Sequence, residues 1–305
     1  MIRPFTQADK EEFLAMAHDF HSSDAVASAT PEEYFVRTFH RIMDNSPYKD
    51  GFIIECDGEV AGYGLVHFTY SNEAGGVLST WDEIYIKPQF RSRGLGSSYI
   101  AFCEERYKDK SAFYRLEVED THDRLYKLYS RLGYHKIHYR QIVKHRHDTV
   151  LNTYDKNLAR PMQKQDEQDF YKMAAQYHAT DIIESDTPSS HFKNTFSEIM
   201  KGNPLIDGFM ILKDGKAAGY ALVSILCANE VGGIMHNLDE LYILPEYRGM
   251  GLGSGFIDYF ENFYADVTNL YRLELVWEDK KGQEYFEKRG YEWLEYYQML
   301  KAPIK

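Results

Sequence analysis

RSRGLGS at residues 91–97 and RGMGLGS at 248–254 stand 157 positions apart (248 − 91). The same offset carries Arg3-Pro4 onto Arg160-Pro161 and Asp50-Gly51-Phe52 onto Asp207-Gly208-Phe209. It carries Asp57-Gly58 onto Asp214-Gly215, Gly75-Gly76 onto Gly232-Gly233, and Gly133-Tyr134 onto Gly290-Tyr291. His21 falls on His178, and YRLE at 114–117 falls on YRLE at 271–274, with no gap anywhere. Glycine and proline dictate where a chain turns, so their recurrence means that the same turns recur. A solenoid repeats every ~20–50 residues, so a period this long is a whole domain written twice. The first repeat spans residues 1–144 and the second 158–305. Residues 145–157 have no counterpart and read as a linker.

The chain is acidic, with a formal net charge of −12, which argues against the Lys/Arg stripes of a nucleic-acid binder. The repeats share that charge unequally. Residues 1–150 carry 19 Lys+Arg against 23 Asp+Glu, and residues 151–305 carry 16 against 24. Cys56, Cys103 and Cys227 show no CxxC spacing, so neither zinc nor a disulfide framework is expected. No signal-like apolar run opens the sequence, and no stretch reaches the ~18 apolar residues of a membrane span. A cytoplasmic protein without membrane association is the expectation.

Within the first repeat the pattern predicts a short strand at 2–4 and a helix from Thr6 to about Phe20, with acidic residues in its first turn. A second helix follows Pro31, with Tyr34, Phe35, Thr38, Phe39 and Ile42 along one face. Two strands joined at Asp57-Gly58 come next, then a strand over 77–87 ended by Pro88. The glycine turn leads into a helix over 94–107, followed by a strand at 113–119, a helix at 124–132 and terminal strands within 134–143. The order βααβββαβαβ, taken twice, predicts an α/β protein of two tandem domains. Each is a mostly antiparallel mixed sheet flanked by helices.

Arg91-Ser92-Arg93-Gly94-Leu95-Gly96-Ser97 lies between a strand and a helix, as does Arg248-Gly249-Met250-Gly251-Leu252-Gly253-Ser254. The first N–H groups of a helix have no intrahelical acceptor and carry the positive end of its dipole, and glycine lets a pyrophosphate approach them. A dinucleotide-binding turn follows the first strand of a parallel unit, whereas this turn follows the fourth. The pattern R-x-x-G-x-G after a strand resembles motif A of the GCN5-related N-acetyltransferases. Arg91, Gly94, Gly96, Arg248, Gly251 and Gly253 match its defining positions, and the element order matches over nearly the whole chain. The resemblance implies acetyl-CoA as co-substrate, its pyrophosphate on both turns, and no metal. It implies that pantetheine pairs with the preceding strand at Ile84, Tyr85 and Ile86, and at Leu241, Tyr242 and Ile243. TYSNEAGG, then Asp82-Glu83, then the turn is also similar to the diamine and thialysine acetyltransferases.

Amine acetylation takes a proton from the attacking nitrogen and returns one to the departing thiolate. Asp82 and Glu83, repeated as Asp239 and Glu240, are the base candidates. Alternation along a strand predicts opposite faces for the two members of a pair. The family resemblance selects Asp82, an aspartate where those enzymes have glutamate. It also makes Tyr129, in LYSRLGY, the candidate acid; a phenol is protonated at neutral pH. The second repeat has Phe286 there, which donates no proton, and the neighbouring Tyr285 points about 100° away. The resemblance therefore implies an N-acetyltransferase acting on a small-molecule primary amine such as a polyamine or amino acid. The two repeats would form a pseudo-dimer in one chain, open to further homo-oligomerisation. The alternative is an acyl-CoA-binding regulatory module with one or both copies silent.

Overall fold

A computed structural model describes residues 1–22, 30–119, 123–180, 187–276 and 278–303. The first repeat contains β1 (Ile2–Pro4), α1 (Lys10–His21), α2 (Glu32–Met43), β2 (Lys49–Cys56), β3 (Glu59–Ser71) and β4 (Gly76–Ile86). It continues with α3 (Leu95–Tyr107), β5 (Ser111–Glu119), α4 (Asp123–Arg131), β6 (His135–Lys136) and β7 (Tyr139–His145). The second repeat supplies β8 (Ala159–Pro161), α5 (Glu167–His178), α6 (Ser189–Lys201), β9 (Ile206–Lys213), β10 (Lys216–Ala228) and β11 (Gly233–Ile243). α7 (Leu252–Phe263), β12 (Leu270–Val276), α8 (Lys280–Glu287), β13 (Glu292–Trp293) and β14 (Tyr296–Lys301) complete it. These are the elements that the turn residues predict. The β2–β3 hairpin turns at Asp57-Gly58 with φ of 54° and 84°, the paired left-handed residues of a tight primed turn.

The two seven-stranded sheets exchange their last strands. One runs β1-β2-β3-β4-β5-β14-β6 and the other β13-β7-β12-β11-β10-β9-β8. β14 of the second repeat lies antiparallel to β5 of the first, pairing Tyr296 with Glu119 through to Lys301 with Tyr114. β7 of the first repeat pairs in the same way with β12, Leu270 opposite His145 through to Val276 opposite Tyr139. Each sheet is therefore closed by the other repeat, and the chain is a covalent pseudo-dimer. Gly75 and Gly232, with φ of 65° and 60°, sit where the repeats meet. A Cβ on either would lie 2.3 Å from an atom of His191 or Tyr34 across the junction.

Each sheet separates two apolar layers. In the first repeat, Phe13, Phe35, Phe39, Tyr63 and Leu65 fill the side under α1 and α2. Phe52, Val66, Phe68, Tyr99, Cys103 and Tyr114 fill the side under α3. The parallel pairing of β4 with β5 ends at Thr80 opposite Arg115, and that of β11 with β12 ends at Leu238 opposite Leu273. Beyond those points β4 and β11 keep partners on one side only, so each sheet opens into a notch that points toward its glycine turn.

Candidate active site

The notch edge carries Ile84, Tyr85 and Ile86 in the first repeat and Leu241, Tyr242 and Ile243 in the second. The side chains of Tyr85 and Tyr242 are buried toward the first helices, with hydroxyls on Asp19 (3.3 Å) and Gln176 (3.1 Å). Ile84 and Ile86 pack on the α3 side. Apart from Ile86 O and Ile243 O, which accept from arginines of the turns, the notch side of these strands has no strand partner among the described residues and can pair with an extended ligand, as a sheet edge pairs with a strand.

The glycine turns stand at the end of those strands. Arg91 Nε donates to Ile86 O (2.9 Å) and Arg248 Nε to Ile243 O (3.0 Å), each bracing strand end against turn. Ser92 and Gly249 have φ of 63° and 76°, and Gly94 and Gly251 have φ of 77° and 80° as the caps of α3 and α7. Leu95 packs against the core under α3, and Leu252 is buried in its own core, so both turns are anchored from below. Arg93 reaches Asp57 (3.1 Å), and Met250 is exposed. Gly96 and Gly253 follow the caps, with Ser97 and Ser254 beside them. A Cβ at Gly96 or Gly253 would meet no atom within 4 Å, so the space in front of these helix starts is clear. Both turns fit a pyrophosphate held by backbone N–H groups.

The acidic pair is arranged differently from the expected alternation. Leu65 faces Glu83 and Val66 faces Trp81, so Asp82 is the extra residue of a β-bulge. The bulge cancels the change of face. Asp82 lies with Lys49 and His67, and Glu83 with Tyr63, all on the α1–α2 side. The prediction of opposite faces is corrected accordingly. The same bulge recurs at Asp239, between Leu222 opposite Glu240 and Val223 opposite Leu238.

Glu83 is buried. It accepts from the Tyr63 hydroxyl (2.6 Å), bonds with His21 Nε2 (3.0 Å) and accepts from Asn229 Nδ2 of the second repeat (2.8 Å). Glu240 repeats this with Tyr220 (2.6 Å), His178 (2.9 Å) and Asn72 of the first repeat (3.0 Å). His21 and His178 hold Thr30 (2.9 Å) and Thr187 (2.8 Å) through their other ring nitrogen. Burial works against the charge on His21, but the Glu83 hydrogen bond and charge prevail and raise its pKa. Each acidic site is therefore finished by an asparagine from the opposite repeat.

The aspartates differ. Lys49 Nζ lies 2.7 Å from Asp82, and His67 Nδ1 lies 3.1 Å away. Burial alone would raise the Asp82 carboxyl, but Lys49 and then His67 outweigh it and hold it below the usual carboxylate range. In the second repeat the offset places Ile206 at the lysine position and Ser224 at the histidine position. Asp239 receives a hydrogen bond from Asn237 but has no cation in contact among the described residues. Burial and the nearby Glu274 push its carboxyl up to about 8.

Tyr129 is half-buried on α4 beside Tyr134, and burial pushes its phenol up to about 12. Phe286 is buried in the corresponding core. Lys49, His67, the Tyr63 and Tyr220 hydroxyls and the crossing asparagines escaped the reading of the sequence. Their signal was present in part: His21, Tyr63, Asn72 and Glu83 all recur at the fixed offset as identical polar residues.

The sequence model of the acetyltransferase (GNAT) family matches residues 14–134 and again 168–291. The chain belongs to that family, in tandem form. A stretch of 75 residues is 40% identical to the thialysine N-epsilon-acetyltransferase of Bos taurus, covering 24% of this chain and 44% of the relative. Against the Mus musculus enzyme of the same name, 87 residues are 36% identical, covering 27% and 51%. The matches thus span about half the length of these relatives. Among solved structures, a tandem GNAT protein from the clavulanic acid biosynthesis pathway superposes with a TM-score of 0.55 at 13% identity, covering 100% of this chain and 99% of that one. A GCN5-related N-acetyltransferase from Sphaerobacter thermophilus gives 0.55 at 16% identity, covering 100% and 96%. These two likenesses establish the fold. No described helix is long and apolar enough to cross a membrane.

Proposed function

We propose that the protein transfers an acetyl group from acetyl-CoA to a primary amine of a small molecule, by direct attack and without a covalent enzyme intermediate. The observation that carries this reading is the twice-repeated pairing of an unpaired strand edge with an open glycine turn at a helix start. That pairing suits a ligand with an extended amide chain and a pyrophosphate. Residues 91–97 and 248–254 would hold the pyrophosphate, and the edges at 84–86 and 241–243 the pantetheine. Acetyl-CoA brings the acyl group and a thiol leaving group.

In the first repeat, Tyr129 is the proposed acid for the departing thiolate, since a phenol raised to about 12 keeps its proton at neutral pH. Asp82 is a poor base, because Lys49 and His67 stabilise its charged form. Glu83, held by Tyr63, His21 and Asn229, is the member of the pair we assign to proton removal, through water. The second repeat lacks the phenol. Phe286 favours a second reading for that half: it binds acyl-CoA and turns over slowly, or serves the first half as a regulatory module. The repeats themselves, 1–144 and 158–305, are the proposed domains, joined by 145–157, in a cytoplasmic protein.

Acetyl-CoA titration of wild type, Gly96→Trp and Gly253→Trp tests the reading. These positions are preferable to Gly94 and Gly251, whose positive φ would strain any side chain. Two sites in wild type, each lost with its own substitution, are expected. Absence of acetyl-CoA binding by the wild type would sink the proposal.

A further inference from the structure

The two glycine turns share a backbone but not a charge. Residues 87–98 contain Lys87, Arg91 and Arg93 and no acidic residue, a count of +3. At the fixed offset, residues 244–255 keep only Arg248 and add Glu246, a count of zero. Leu244 stands at the place of Lys87, and Met250 at the place of Arg93. Neighbouring side chains do not cancel the difference. Lys87 bonds with Glu12 and Arg93 with Asp57, which leaves the first turn one positive charge (3 − 2). The second repeat has Asp169 and Asp214 at those two positions and Lys213 beside Asp214. With Arg248 and Glu246, that leaves the second turn one negative charge (2 − 3).

Arg93 is placed to use this charge. Its side chain is 49% exposed, and its guanidinium lies 5.3 Å over the ring of Phe90. Phe90 is buried, so the ring is a fixed shelf that holds the guanidinium at the turn. Among the described residues its hydrogen bonds, to Asp57 (3.1 Å) and to the Cys56 sulfur (3.8 Å), both come from Nη1. Nε and Nη2 keep donors for an arriving anion. Met250 is 56% exposed, and its thioether offers no donor. Ser92 likewise brings a hydroxyl to the first turn where Gly249 brings none.

Besides its pyrophosphate, coenzyme A carries a monoester phosphate on the ribose 3′ oxygen, with about −1.5 to −2 charges at neutral pH. We infer that Arg93 makes the first turn selective for the full phosphate complement of acetyl-CoA, whereas the second turn, with Met250, binds the same ligand more weakly and tolerates loss of the 3′-phosphate. This rests on the reading that both turns hold acetyl-CoA. Backbone N–H groups admit the pyrophosphate to both turns alike, and exposed side-chain charge ranks them. The charged part of binding is screened by salt, and the shared backbone part much less so. At limiting acetyl-CoA the first repeat, which has the proposed acid Tyr129, therefore fills before the second.

The test is calorimetric titration of acetyl-CoA and of its 3′-dephospho form into the full chain, with Gly253→Trp reporting the first turn and Gly96→Trp the second. At about 50 mM salt the first turn should bind acetyl-CoA about tenfold tighter than the second, and at about 500 mM the gap should shrink to roughly threefold or less. Removing the 3′-phosphate should weaken the first turn about tenfold and the second less than about threefold. Arg93→Met should remove both preferences from the first turn, and Met250→Arg should give them to the second. Both side chains are largely exposed, so neither substitution disturbs a core. If the second turn binds too weakly to measure, a second site gained in Met250→Arg supports the inference, and its failure to appear overturns it. Equal affinities, equal losses with the 3′-dephospho form, a tighter second turn, or a 3′-phosphate preference that survives Arg93→Met also overturn it. Two acetyl-CoA sites with any of those results leave the acetyltransferase proposal standing, whereas absence of acetyl-CoA binding by the wild type removes both.

Discussion

Asp82 and Asp239 occupy the same bulge in two copies of one domain, and their neighbours give them opposite charge. Lys49 and His67 keep Asp82 ionised, while burial beside Glu274 favours the neutral form of Asp239. Tyr129 and Phe286 divide the repeats a second time, with the proposed proton donor in the half whose acidic site is filled from within. The comparison teaches that duplication has preserved the scaffold while dividing the chemistry. Turns, notches and the Glu–His–Tyr–Asn cluster are doubled. The groups that decide protonation are not.

The most forceful way to break the comparison is Lys49→Ile, which gives the first repeat the second repeat's residue. It leaves a buried carboxylate without its cation and should cost about 3–5 kcal/mol in denaturant unfolding. Adding Asp82→Asn should recover much of that loss; no recovery would show that the lysine acts through packing. Tyr129→Phe makes the first repeat match Phe286. If Tyr129 reprotonates the thiolate, turnover with a competent amine should fall roughly hundredfold with acetyl-CoA binding unchanged. A fall in acetyl-CoA affinity instead would assign the phenol to binding.

Asn229→Ala and Asn72→Ala sharpen the symmetry, since each removes one donor from the opposite repeat's glutamate. Each should destabilise by about 1–3 kcal/mol, and Asn229→Ala alone should depress turnover, because Glu83 is in the half with the phenol. Equal effects on turnover would mean that both halves are catalytic.

The smallest effect is a difference in pH dependence. Asp239 has a raised folded pKa, so its contribution is complete below the ordinary carboxylate value and is lost as pH rises to about 8. Asp82 has a lowered one, so its contribution is present above the ordinary value and is lost in acid. The melting temperature of Asp239→Asn should gain on wild type as pH rises from about 4 to 8. Asp82→Asn should lose ground as pH rises through the acid range. Parallel profiles for the two variants would refute the assigned charges.

Much of this architecture was legible because backbone punctuation survives duplication. Asp57-Gly58, Pro88 and Gly94 mark the same corners in both halves, and the helices follow from apolar spacing. The strand exchange was not legible, for a reason visible in the sequence itself. β5 and β12 both contain YRLE, so a following strand finds the same pairing surface in either repeat. The bulge at Asp82 was hidden because an added residue leaves no glycine or proline signature. Lys49 reads as a surface residue in YKDGF, and only the fold buries it. Residues 84–86 and 91–97 could be placed from the strand–turn–helix order, since their position depends on local backbone. The acidic cluster could not, since His21, Tyr63 and Asn229 are brought to Glu83 by three distant elements.

The exchanged strands also set a timetable for biogenesis. β5 gains its second neighbour, beside β4, only from residues 296–301, and Arg115 meets Gln298 across 183 residues of chain. Domains commonly complete themselves in the order in which the ribosome delivers them. Here the first repeat must wait with an unpaired sheet edge until residues 296–301 have been made, and such an edge invites association with other chains. While it waits, its YRLE strand offers β7 of a second nascent copy the same pairing surface that β7 meets in β12, so crowded translation should favour interlocked dimers.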